Sequence, residues 1–346
     1  MASPTTIAVD VMGGDESPHS FVSASLSFLS HHQDTELLLF GDLTLLDQAM
    51  RELGESYPQS VLERLHCTPA VDFVAPEEKP ASALRHKRES SMWLALASVV
   101  TGKADAVLSA GNTGALMVMA RHQLGMIQGF ERPAICKRMP VLGRSCYVLD
   151  LGANTQASVS QLHQFALMGA ALIEVEGIHP AKVGLLNIGE ELQKGTDTLH
   201  EAHELLQGDA RFDYQGFVEG NALFEGDTNV VVTDGFTGNV ALKACEGLAR
   251  YLVADLRRYY RQSAIRRWIG AAMGKLSSGW LKRLNPAAYN GALLLGLNGV
   301  VVKSHGAADE RGLIAALQVT LEQAQRKPHN LLAAWLADGE RAAANH

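Results

Sequence analysis

Short apolar runs rich in β-branched residues recur along this chain, with helix-length amphipathic segments between them. Thr6–Val11, Glu36–Phe40, Asp105–Leu108, Cys146–Asp150, Lys182–Ile188, Gln215–Val218, Asn229–Thr233 and Gly299–Lys303 read as strands. Ser91–Val100, Ala115–Gly125, Ser158–Glu174, Thr198–Leu206, Thr237–Arg261 and Glu310–Lys327 read as helices. This alternation predicts an α/β fold of three layers, a mostly parallel sheet with helices on both faces. Near-continuous apolar strands such as Asn229–Thr233 fit burial on both sides. There is no internal repeat and no linker, so residues 1–346 form one domain, with two lobes around a cleft as a compatible arrangement.

A different pattern begins near residue 247. Ile265, Trp268, Ile269, Ala272 and Met273 fall at i, i+3, i+4, i+7 and i+8, one face of a helix. Ser277, Trp280, Leu281 and Leu284 repeat the spacing after Gly274 and Gly279, which permit a bend. Arg266, Arg267, Lys275, Lys282 and Arg283 take the other face. We expect a protruding basic, amphipathic helical arm over residues 247–285.

Composition sharpens this picture. The chain has 346 residues, 47% of them hydrophobic and 19% charged, which excludes a disordered chain. Its formal net charge of −7 argues against a nucleic-acid partner. That sum hides a segregation: Arg250 to Arg283 holds nine bases against Asp255 alone, a local +8 that leaves −15 elsewhere. Cys67, Cys136, Cys146 and Cys245 form no CxxC pair and read as reduced, buried thiols. The first residues lack a basic and apolar leader, and the longest apolar stretch, Gly291–Val302, is too short to span a bilayer. A cytoplasmic protein is expected.

The loops after the strands carry the candidate chemistry. Asp10-Val-Met-Gly-Gly-Asp15, Ser109-Ala-Gly-Asn-Thr-Gly114, Asp150-Leu-Gly-Ala-Asn154, Asn187-Ile-Gly-Glu-Glu191, Glu219-Gly-Asn221, Thr233-Asp-Gly-Phe-Thr-Gly-Asn239 and Lys303-Ser-His-Gly306 are all glycine-plus-polar turns. In a parallel sheet they gather on one edge, where α/β sheets bind ligands. Any one of them alone is more often a plain turn. In Ser109–Thr113, glycine would let backbone N–H groups approach an anion at a helix N-terminus, a phosphate cradle that is neither a Walker A loop nor GxGxxG.

Lys194 is either a solvated loop lysine or a counter-charge beside that cradle. Asn239 is either a cap contact or an amide donor to an oxyanion. His305 is either a structural hydrogen-bonder or part of the chemistry. Asp10, Asp15, Asp150 and Asp234 border the same loops and can orient bases or cap turns. No metal-ligand spacing, no G-x-S-x-G elbow and no activated cysteine is visible, so we expect no metal and no cofactor.

Taken together, these loops resemble the PlsX family of bacterial phosphate acyltransferases. So do Lys87-Arg-Glu-Ser-Ser-Met92 and Leu295-Gly-Leu-Asn-Gly-Val-Val-Val-Lys-Ser-His-Gly306. The likeness runs in order from the first strand to about residue 325, and Pro328–His346 carries no matching motif. The resemblance implies a fold like the isocitrate and isopropylmalate dehydrogenases, a homodimer, and acyl transfer from acyl carrier protein to inorganic phosphate. The acyl phosphate would feed a membrane glycerol-3-phosphate acyltransferase in phospholipid synthesis.

The reaction needs a held phosphate nucleophile, a positioned thioester carbonyl and oxyanion donors, and no strong base. Lys194, Asn239, His305 and Asp234 form the expected catalytic set. Asp10, Gly13, Gly14, Asp15, Ser109, Gly111, Asn112, Thr113, Asn154 and Asn221 form the expected phosphate- or substrate-binding set.

On the arm, Arg266, Arg267, Trp268, Ile269, Trp280, Lys282 and Arg283 fit an anionic membrane surface. Core packing, a dimer partner and the acidic carrier protein fit the same pattern. The expectation is a peripheral place at the inner face of the cell membrane. A phosphotransacetylase or dehydrogenase on the same fold, and a non-enzymatic membrane scaffold, are the competing readings.

Overall fold

In β1 (Thr5–Asp10) alternate side chains leave the strand on opposite faces, which sends Ile7 and Val9 one way and Ala8 and Asp10 the other. Each face has its own apolar cluster. Ile7 and Val9 join α1 (Pro18–His31), α2 (Leu43–Gly54), α3 (Gln59–Leu62), α7 (Val159–Val175), α8 (Asp197–Gln207), α10 (Glu310–Arg326) and α11 (Pro328–Ala344) through Phe21, Leu46, Val61, Phe165, Leu206, Leu317 and Leu332. Ala8 joins α4 (Pro80–His86), α5 (Ser91–Val100), α6 (Thr113–Leu124) and α9 (Gly235–Arg261) through Ala83, Leu96, Leu116 and the half-buried Leu242. These are the expected three layers. In the computed structural model residues 4–140, 145–262 and 289–344 are described. Most of the predicted arm, including Arg266, Arg267, Trp268, Ile269, Trp280, Lys282 and Arg283, lies outside them.

Among the described residues the sheet has eleven strands, three more than the sequence pattern suggests. They are β1, β2 (Thr35–Gly41), β3 (Leu65–Pro69), β4 (Ala106–Ser109), β5 (Ala134–Pro140), β6 (Ser145–Leu149), β7 (Lys182–Leu186), β8 (Asp213–Val218), β9 (Val230–Val232), β10 (Ala292–Leu295) and β11 (Val300–Lys303). Their order is β3-β2-β1-β4-β11-β10-β5-β6-β9-β7-β8. The apolar stretch Gly291–Val302 proves to be two strands, folded back on each other at Gly296, whose φ is +92°. Pro328–Ala344, which carried no motif, is a helix.

Most pairings are parallel, but β10 runs antiparallel to β11, β5 to β10 and β6 to β5. Three reversals turn β6, β9, β7 and β8 against the direction of β3, β2, β1, β4 and β11. The expectation that all the glycine loops share one edge is therefore corrected. The loops after β1, β4 and β11 lie at one edge, and those after β6, β7, β8 and β9 at the other. The short antiparallel strands between them decide how the two sets meet.

The helices that start at these edges are capped by the loops themselves. Asn112 Oδ1 accepts from Ala115 N at 3.0 Å and opens α6. Asp234 Oδ1 accepts from Thr237 N at 2.8 Å and opens α9, two residues earlier than the periodicity predicts. Each such cap stabilises its helix by about 1 kcal/mol.

Candidate active site

At the first edge three loops interlock. Asp10 is fully buried and accepts from Ser91 Oγ at 2.6 Å and from Ser109 Oγ at 2.7 Å. Ser109 Oγ in turn accepts from Gly111 N at 3.1 Å, and Asp15 N donates to the Gly306 carbonyl at 2.9 Å. Burial pushes the Asp10 carboxyl above its usual range, against the lowering effect of the two hydroxyls.

The glycines here are required by space. A Cβ on Gly13 would stand 2.7 Å from Gly111 Cα and 3.0 Å from Asp10 Oδ2. Gly13→Ala is expected to cost about 1–3 kcal/mol, the range for overpacking a closed site, as read by urea denaturation. Wild-type stability would mean that the loops can separate. Asn112 completes the knot, its amide donating to the carbonyls of Pro76 at 2.8 Å and Glu78 at 2.9 Å.

At the second edge Asp150 plays the matching part. Its carboxylate accepts from Ile135 N at 2.9 Å, Ala153 N at 3.0 Å, Asn154 N at 2.6 Å and Asn154 Nδ2 at 3.0 Å. α9 begins directly above this loop. Gly235 N donates to the Asn154 carbonyl at 2.8 Å, and a methyl on Gly238 would overlap the Asp150 carbonyl oxygen. The close seat brings Asn239, one turn into α9, over Gly152, whose φ of +126° also calls for glycine. Asn239 is exposed, and among the described residues its amide has no hydrogen-bond partner.

The two edges face each other across β5 and β10 and enclose a cavity of about 370 Å³. Thr113 and Ser304–Gly306 line it from the first edge, and Leu151, Gly152 and Asn239 from the second. Ile135, Lys137, Gly291 and Ala292 lie between them, and Leu242, Lys243 and Glu246 of α9 close one side. Lys303 stands at the end of β11. Asn290 pins the β11 loop: its amide donates to Ser304 Oγ at 2.7 Å and to the Gly312 carbonyl, and its oxygen accepts from His305 N at 3.0 Å.

Among the described residues charge in the cavity is lopsided, with three lysines against one glutamate. Glu246 bridges Lys137 at 3.1 Å and Lys243 at 3.2 Å. Burial pushes its carboxyl up, but the two ammonium groups outweigh burial and hold it below the usual range. Lys243 Nζ donates to His305 Nε2 at 2.9 Å. Burial first, and Lys243 second, hold the imidazole below its ordinary value. Both ring nitrogens are engaged, Nε2 by Lys243 and Nδ1 by Ala307 N at 3.3 Å, so His305 orients Lys243 rather than standing free as a base.

Lys303 Nζ donates to the carbonyls of Ala110, at 3.1 Å, and Ser304. Burial pulls its pKa down to about 8, helped by Lys243 and opposed by Asp10 and Asp15. Among the described residues no carboxylate lies within ion-pair distance of it.

Of the residues expected from sequence, Thr113, Asn239 and His305 line the cavity. Asp10, Gly13, Gly14, Ser109 and Gly111 build the wall of interlocked loops behind it, and Asp15 ties that wall to Gly306. Asn154 is buried against Asp150. Asp234 is spent on Thr237, through both its backbone N and its Oγ1. Lys194 and Asn221 are not brought to the cavity. Lys194 sits exposed on the β7–α8 loop, held by its carbonyl through Asn187 Nδ2 and His200 Nε2. Asn221 is exposed and donates to Glu225 at 3.4 Å.

The sequence reading missed Lys137, Lys243, Glu246, Asn290 and Lys303. A signal for two of them was present, since Asn239, Lys243 and Glu246 fall at i, i+4 and i+7 and share one helix face. Thiol chemistry is disfavoured where the cysteines stand: burial raises Cys67 to about 11 and Cys146 to about 12.

A family model described as fatty acid synthesis protein matches residues 5–331. A curated relative from Cellvibrio japonicus (strain Ueda107), named phosphate acyltransferase, is 48% identical over 337 residues, covering 96% of this chain and 98% of its own. Another of that name, from Saccharophagus degradans, is 44% identical and covers 94% and 93%. Among solved structures, a phosphotransacetylase from Streptococcus pyogenes superposes with a TM-score of 0.63 at 14% identity, over 94% of this chain and 95% of its own. The EutD phosphotransacetylase from Staphylococcus aureus gives 0.57 at 16% identity, over 93% and 94%. At such identities the structural likeness speaks for the fold alone.

Proposed function

The chain belongs to the fatty acid synthesis protein family, whose curated relatives carry the name phosphate acyltransferase, and from that premise we propose that it makes acyl phosphate from an acyl-[acyl carrier protein] and inorganic phosphate. It is an acyltransferase. The observation that carries the substrate assignment is the cavity, where a surplus of ammonium groups meets the uncommitted amide of Asn239.

The chemistry balances without metal or general base. A phosphate oxygen attacks the thioester carbonyl carbon and forms the C–O–P anhydride. The C–S bond breaks, and its electron pair leaves on sulfur as a thiolate that takes its proton from water. Phosphate is largely dianionic at neutral pH and the thiolate is a good leaving group, so holding and orienting the two reactants supplies most of the acceleration. In this reading Asn239 donates to the oxyanion of the tetrahedral intermediate. Asp234 fixes Asn239 by capping α9, and His305 holds Lys243 toward the cavity. Thr113 and the wall built from Ser109, Gly111 and Gly13 shape the phosphate side. Lys194, expected beside the phosphate, stands outside the cavity on the same edge as Asn239 and is given no part in this reading.

Among the described residues no helix is long and apolar enough to cross a membrane. The basic stretch that begins at Arg250 supports the further reading that the protein works beside an anionic membrane surface; that it is a homodimer passing acyl phosphate to a membrane glycerol-3-phosphate acyltransferase rests on the family resemblance. Vesicles of anionic lipid are expected to bind the protein at low salt and release it at high salt.

The primary assay incubates acyl-carrier protein with and without phosphate and traps acyl phosphate as its hydroxamate. Phosphate-dependent hydroxamate is expected. Its absence, or faster turnover of acetyl-coenzyme A, would favour the phosphotransacetylase-like alternative.

A further inference from the structure

Lys243 and Lys303 approach the cavity from opposite halves of the sheet, Lys243 on α9 and Lys303 at the end of β11. We propose that they form a two-ammonium clamp that closes on one phosphate dianion, so that the acceptor is held by charge from both edges and not by the glycine loop alone. The proposal rests on the phosphate acyltransferase reading and names the side chains that hold its acceptor.

Hydrogen-bond bookkeeping supports it. An ammonium has three N–H groups. Lys243 uses one on Glu246 and one on His305, and Lys303 uses two on the carbonyls of Ala110 and Ser304. Each keeps one N–H for a ligand. Placement argues the same way. Lys303 is half-buried and has no ion-pair partner among the described residues, a state that an incoming dianion would relieve. Lys243 is 46% exposed, yet held by two partners in a fixed direction. Part of the glycine loop beside them is already committed, Gly111 N to Ser109 Oγ and the Asn112 amide to Pro76 and Glu78, so the two lysines share the dianion with what remains of it.

Lys303 also supplies a signature that mere packing would not. Asp10 of β1 and Asp15 of its loop face it with negative charge, and Lys243 and the neutral His305 face it from the other side. Burial leaves it partly deprotonated near pH 8, so a dianion bound against it should draw in a proton.

The test is isothermal titration of inorganic phosphate into the full-length protein, Lys243→Met and Lys303→Met at pH 8, in two buffers of different ionisation heat. Each substitution is expected to weaken phosphate binding at least tenfold. Wild type should take up a fraction of a proton, and Lys303→Met should not. Lys243 is half exposed, so its variant folds even if Lys303→Met does not. Phosphate affinity within twofold of wild type in either folded variant overturns the clamp. The hydroxamate assay on wild type keeps the two readings apart. Acyl phosphate formation with unaltered phosphate binding in the variants sinks the clamp and leaves the activity standing. Phosphate binding through both lysines without acyl phosphate sinks the activity and leaves the clamp.

Discussion

Asn239→Ala is expected to lower kcat by about 10²–10³-fold while KM for phosphate stays within a few-fold of wild type. That is the range for removing one oxyanion donor from a preorganised site. The split matters, because an interaction made only in the transition state changes kcat without changing ground-state binding. Asn239 suits the role because its amide spends nothing on the protein and rests on Gly152, whose φ of +126° shapes the loop beneath it. The substitution should leave stability unchanged or slightly raised, since Ala is the better helix residue at an exposed position by about 0.5 kcal/mol. Single-turnover formation of acyl phosphate, alongside urea unfolding, reads both quantities. Near wild-type turnover would remove Asn239 from the chemistry. Equal losses of turnover and stability would make it a structural residue of α9.

Glu246→Ala is expected to destabilise the fold by about 3 kcal/mol, the lower end for breaking a buried ion pair and stranding its partner. The side chains of Lys137 and Glu246 are only 10% and 11% exposed, so the lysine left behind has little water to turn to beyond the cavity itself. Replacing both, Lys137→Met with Glu246→Leu, should recover most of the loss, because neither charge is then stranded.

The pH dependence has a definite sign. The folded carboxyl of Glu246 titrates below its ordinary value of 4.5. Its stabilisation is therefore present above that pH and is lost as pH falls through the folded value. Glu246→Ala should lack that part of the acid-side loss. Urea midpoints between pH 3 and 7 give the comparison, and equal wild-type and variant slopes would mean that the pair contributes nothing net.

Much of the frame could be read from the chain. Strands buried on both faces announce themselves as apolar runs, so β1, β2, β4, β6, β7, β9 and β11 were visible, and β8, an edge strand, showed through its buried end at Phe217 and Val218. The strands that were missed have local reasons. β5 carries Lys137, which faces the cavity and not a helix, and the exposed Arg138 on the opposite face, and the two break its apolar pattern. β3 is an edge strand with one buried position. β10 hid inside a run it shares with β11. The glycine loops were legible because backbone that must approach other backbone admits no other residue, as Gly13 against Gly111 shows.

By itself, then, the sequence determined the α/β layering, the loops that carry the site, and Asn239 and His305 within it. These depend on local periodicity and on conformations that few residues can adopt. Strand direction is different, because a strand reads the same whichever way its neighbour runs. Only the tertiary structure decided that three antiparallel pairings turn the two sets of loops toward one cavity. Only there do Lys137, Lys243 and Lys303, widely separated along the chain, become one electrostatic site, because charge acts through space and not along sequence.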